Sequence, residues 1–162
     1  MATARRTHPI PLIYCITFLY FEPLIAFLGA CQALFLPTTL LAAQTPNAAA
    51  YYRPELRPLT TQIAGGWLFL AFNDFVLLRV FSEDVKVWRY VLMGGLLCDI
   101  VFTASIIMDF GVKRFFDVRM WSVVDAGVIL STVLPMALKV TGALGVGMRK
   151  GVTGDGRSKK SL

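Results

Sequence analysis

The chain has 162 residues, a formal net charge of +6, 56% hydrophobic residues and only 16% charged ones. A soluble domain carries about a quarter charged residues, so this composition, with a mean hydropathy of +0.64, speaks against a water-soluble globule. A single histidine and three isolated cysteines leave no basis for a His-based metal site, a Ser–His or Cys–His pair, or a disulfide framework.

Apolar residues gather in four blocks, about 11–36, 59–80, 87–108 and 120–140, each long enough for the roughly 20 residues that cross a hydrocarbon core. Lipid offers the backbone no hydrogen-bond partners, so each block is predicted to be a helix. The expected fold is all-α, an integral membrane four-helix bundle. Residues 1–10 form an N-terminal segment, 11–145 a single four-span transmembrane domain, and 146–162 a flexible basic tail.

The first block contains FLYFEPLIAF, with Glu22 and Pro23 side by side in an apolar run. It is far longer than the roughly 7–15 residues of a signal-peptide core and is interrupted by a carboxylate, so it is read as a span. Pro23 removes a backbone donor and displaces the carbonyl of Leu19, which predicts a kink. The connection 37–58 holds Pro37, Pro46, Pro54 and Pro58 and is expected to be ordered only in part.

The second block contains GGWLFLAFNDFVLLR, where Gly65 and Gly66 are expected to permit close helix contact. The short turn FSEDVKVW then places Ser82 as the cap of the third helix, with Glu83 and Asp84 near its positive end. Asp117 is assigned the same role for the fourth helix.

Four of the ten carboxylates fall inside the blocks, one in each: Glu22, Asp74, Asp99 and Asp125. A charge at a helix centre costs about 2.5–3.5 kcal/mol on the translocon scale, and such residues face the bundle interior. Helical spacing agrees, since Ala26, Gly29 and Ala33 share a face with Glu22, and Gly95 and Thr103 share one with Asp99. No lysine or arginine is assigned to mid-membrane, so the deep pair Glu22 and Asp99 is expected to be uncompensated, with one or both protonated.

Lysine and arginine placement sets the orientation. With the N-terminus inside, the inner segments hold Arg5, Arg6, Arg79, Lys86, Arg89, Lys139 and the tail cations, against Arg53, Arg57, Lys113, Arg114 and Arg119 outside. Both termini are therefore expected in the cytosol. The sequence ends in KKSL, and Lys159 and Lys160 resemble a dilysine retrieval signal, which implies residence in the endoplasmic reticulum.

FEPL (21–24), the GGWLFLAFNDFVLLR block (65–79), LLCDI (96–100) and FDVRMW (116–121) together resemble an uncharacterised fungal family of four-span membrane proteins, the domain of unknown function 7704. The likeness covers roughly residues 9–145 and implies a multi-span membrane protein without implying an activity. Some relatives are associated with a histidine soon after the aspartate of the third block, where this chain has Val101 and Phe102. A looser, fold-level likeness is to the sterol-isomerase and sigma-2-like fold, which also places carboxylates in a membrane cavity.

Two functions follow as expectations. One is a non-enzymatic protein that binds a lipid, another apolar small molecule, a partner helix or a second copy through a polar interior. Its candidate ligand-binding residues are Glu22, Trp67, Asn73, Asp74, Asp99, Trp121 and Asp125. The other is a small membrane-embedded isomerase or cyclase acting on a sterol or terpenoid-like lipid. In it Glu22 and Asp99 are the candidate acid–base pair, Asp74 or Asp125 steadies a carbocation, and Trp67 or Trp121 adds a cation–π face. Neither cofactor nor metal is expected, and the basic tail suits anionic headgroups better than nucleic acid.

Overall fold

The computed structural model describes residues 8–149. Among them all regular structure is helical, with no strand. Four helices are long and apolar enough to cross a membrane: span one, Leu12–Phe35; span two, Pro54–Val80; span three, Val85–Phe110; and span four, Val123–Ala143. The protein is thus an all-α membrane bundle.

The connection 37–58 departs from expectation. It folds into a helix Pro37–Gln44, a short helix Pro46–Ala49 and a 3₁₀ turn Pro54–Leu56 that runs straight into span two. Pro37, Pro46, Pro54 and Pro58 each occupy the first turn of a helical segment. There the missing N–H has no intrahelical partner to lose, and the fixed φ suits the helix. The prolines start helices here rather than break them.

Capping also differs. Asp84, not Ser82, caps span three, its carboxylate accepting from the Lys86 and Val87 amides at 2.9 and 3.2 Å. Ser122, not Asp117, caps span four in a capping box with Asp125, while Asp117 caps the turn Val118–Met120. Asp84→Ala should therefore cost about 1 kcal/mol, and Ser82→Ala close to nothing, in reversible unfolding by detergent titration. Equal losses would contradict this assignment.

Spans one and two pack along their lengths, as do spans three and four. The first pair closes on Ala30, Ala33 and Ala64, with Leu40 of the Pro37–Gln44 helix covering the end of the seam. A Cβ on Gly29 would lie 2.7 Å from the Trp67 ring, so this glycine is the seat of the indole. Gly65 and Gly66 make no such contact, since a Cβ on either would meet nothing within 4 Å. The close approach comes from span one instead. The second pair closes on Ile106, Phe110, Phe115 and Ile129.

The two pairs are tied at both ends. At one end Tyr14, Phe18, Leu78, Trp88 and Leu92 form a shared core. At the other, Asn47 Nδ2 donates to the Asp109 carbonyl at 2.7 Å, and the Ala48 amide donates to its carboxylate at 2.9 Å. Residues 144–149, expected to be flexible, fold back on the bundle. Gly145 and Gly147 turn the chain at φ 78° and 72°, a region that glycine enters at little cost. The Arg149 amide donates to the Pro9 carbonyl at 3.0 Å, and Arg89 Nε donates to the Ala143 carbonyl at 2.8 Å. Both described ends therefore lie at the same end of the bundle. Lys159 and Lys160 lie outside the described residues.

Candidate functional site

In the first half of span one and the last third of span two the regular helix widens into π-turns, Thr17–Phe21 and Asn73–Leu77, which pack on each other. The Glu22 amide bonds to the Thr17 carbonyl and the Leu78 amide to that of Asn73, in each case one residue further back than in an α-helix. Such insertions re-aim the side chains around them. Glu22 and Asp74 are both turned inward, 7% and 1% exposed.

Pro23 follows directly. The Leu19 carbonyl, which residue 23 would satisfy in a regular helix, accepts instead from Arg79 Nη2 at 3.0 Å. The same guanidinium lies 4.8 Å from the Tyr20 ring centroid and 4.1 Å from that of Phe75. The break in span one is thus satisfied by a cation from span two.

Glu22 and Asp99 are not left without a cation, and this is the main correction to the sequence reading. Lys139 is 1% exposed, and its Nζ donates to Glu22 Oε1 and, at 2.8 Å, to Asp99 Oδ2. A lysine four residues from the end of span four reads as a flank that reaches out to water. Side chains on a helix, however, lean toward its N-terminus. Span four begins at the opposite end of the bundle, so the lysine stem runs inward. Gly95 makes room for it: a Cβ there would sit 2.9 Å from Lys139 Cε and 3.1 Å from Nζ. The sequence signal was a glycine one turn before Asp99 facing a lone lysine on the next helix.

Asp74 lies within electrostatic reach of Glu22, Asp99 and Lys139. Its Oδ2 and Glu22 Oε2 are buried with no hydrogen-bond partner. The interior cluster thus brings three acidic side chains and one lysine together.

A cavity of about 280 Å³ adjoins the cluster and takes residues from all four spans. Glu22, Asp99 and Cys98 line it together with Trp67 and Phe102, an edge-to-face pair with centroids 5.8 Å apart. Span four contributes Ser131, Thr132 and Pro135. Pro135, inside the helix and not singled out from sequence, removes the donor that would meet the Ser131 carbonyl. Gln44, from the Pro37–Gln44 helix, also reaches the lining.

The remaining sequence candidates lie elsewhere. Asp125 accepts from Arg114 Nη2 at 2.6 Å and from the Ser122 amide at 2.9 Å, which makes it a helix cap with its own cation. Trp121 Nε1 donates to the Arg114 carbonyl at 2.9 Å. Neither lines the cavity, and nor does Asn73, which is half-buried. Among the described residues no group of three or more His, Cys, Asp or Glu is arranged to hold a metal ion.

The family described as a domain of unknown function (DUF7704) matches residues 7–149. The chain belongs to it. Neither a curated protein nor a solved structure matches the chain. The charge cluster and cavity lie wholly within the matched residues, as does every described span.

Proposed function

We propose that this DUF7704 protein binds an apolar small molecule, taken from the surrounding membrane, with the molecule's polar end against Glu22 and Asp99. The observation that carries this reading is the cavity itself, which joins those carboxylates to the outer surface of the bundle. Phe21 and Leu28 line it and are 44% and 50% exposed on that surface. An opening between apolar spans admits molecules from lipid more readily than from water. The volume sits near the lower end of the roughly 300–1,000 Å³ of small-molecule pockets, which suits a single chain or a small ring system better than a bulky lipid.

The test is mass spectrometry of molecules extracted from the purified full-length protein. A discrete species enriched over bulk lipid is expected, and Thr132→Phe, whose ring would project into the cavity, should lower its amount. A bulk-lipid profile from both proteins would contradict the reading.

A second reading is catalytic, and the lysine clamp favours it. By holding Glu22 and Asp99 together at the cavity wall, Lys139 fixes two groups able to pass a proton to and from a bound alkene. Asp74, behind them, would steady positive charge in an isomerase or cyclase. Asp99→Asn distinguishes the two. A binding protein holds less of the same species and no isomer of it, whereas an isomerase accumulates the unconverted isomer, recognised by chromatographic retention at unchanged mass.

A further inference from the structure

The cavity's chemistry narrows the class of molecule it takes, an inference that rests on the binding function proposed above. Its lining holds two carboxylates, Glu22 and Asp99, and no lysine, arginine or histidine. Lys139 reaches the carboxylates over Gly95 and is not part of the lining. A third acidic side chain, Asp74, lies within electrostatic reach of the same cluster. The neighbouring cations are engaged elsewhere, Arg114 with Asp125 and Arg79 with the Leu19 carbonyl and two aromatic rings. Glu22 Oε2 is buried without a hydrogen-bond partner.

We infer that the molecule held in this cavity carries a protonated amine at the end that meets Glu22 and Asp99, and is otherwise apolar. An ammonium supplies positive charge against the two acids and an N–H donor for Glu22 Oε2, which lacks one. Trp67 and Phe102, which also line the cavity, add aromatic rings, a type of side chain that attracts a cation. An alcohol of the same length offers a donor but no charge to set against the acids. A carboxylate or phosphate would bring like charge against them. The apolar body suits Ile25, Leu28, Leu70 and Val128, which line the rest.

The test compares dodecylamine, dodecanol and dodecanoate as ligands of the full-length protein in nanodiscs of phosphatidylcholine alone, with empty nanodiscs correcting for partition. The amine is expected to bind at least about tenfold more tightly than the alcohol, and the acid most weakly. In Glu22→Gln/Asp99→Asn protein the preference for the amine over the alcohol should shrink to about threefold or less. Equal binding of amine and alcohol to the unsubstituted protein would overturn the inference while leaving a binding cavity in place. Thr132→Phe separates the two failures. If it abolishes binding of both ligands, the cavity is the site. If the amine binds Thr132→Phe protein as before, it binds elsewhere, and the inference falls with the reading beneath it.

Discussion

Lys139→Met is expected to destabilise the bundle by about 3–5 kcal/mol, the largest effect of any single substitution considered for this protein. The loss is not the value of an ion pair. Removing the ammonium leaves Glu22, Asp74 and Asp99 facing one another in the interior with no positive charge among them. The carboxylates are what make the loss large, so neutralising them should reverse it. Adding Glu22→Gln and Asp99→Asn to Lys139→Met should recover most of the stability, because replacing a whole buried charge network is often close to neutral. Glu22→Gln alone should cost much less than Lys139→Met, since Lys139 keeps Asp99. Detergent-titration unfolding reads all of these, and a Lys139→Met protein as stable as the parent would refute a buried, paired lysine.

Gly29→Val should cost about 1–3 kcal/mol through overpacking. An added Cβ would lie 2.7 Å from two carbons of the Trp67 ring, so either spans one and two separate or the indole swings out of its seat. Because Trp67 also lines the cavity, ligand retention should fall with stability. Gly66→Ala is the control. It has open space around it and should be neutral or stabilising by up to about 1 kcal/mol. If the two substitutions exchange these effects, the close helix contact is made by the glycines of span two and not by Gly29.

The fold class was legible because membrane length and apolarity are properties of a single block, and each of the four blocks states them alone. Which face each helix turns inward was legible too, wherever small and polar residues shared a stripe, as around Glu22 and Asp99. What escaped depends on two elements at once. Gly65 and Gly66 look like a contact motif, but only the partner helix decides whether a glycine is needed, and Trp67 chose Gly29. Lys139 looks like an interfacial flank until the direction of span four is known, and then the same side chain points to the centre. Asp125 carries the same charge as Asp99, yet a serine three residues earlier and Arg114 across a turn make it a cap. The prolines of 37–58 followed a rule visible in the sequence, the preference of proline for the first helical turn, which their number disguised.

The pairing of Lys139 with Glu22 and Asp99 is what fixes the interior and places the carboxylates against the cavity. Its most direct test is magic-angle-spinning NMR of the full-length protein in lipid, with lysine ¹⁵Nζ and carboxyl ¹³C labels. A lysine ammonium nitrogen dipolar-coupled to two carboxyl carbons at hydrogen-bonded range, with the signal absent from Lys139→Met protein, is the predicted result. If no signal that vanishes with Lys139 shows such coupling, the central lysine does not hold the acids, and this account of the site is wrong.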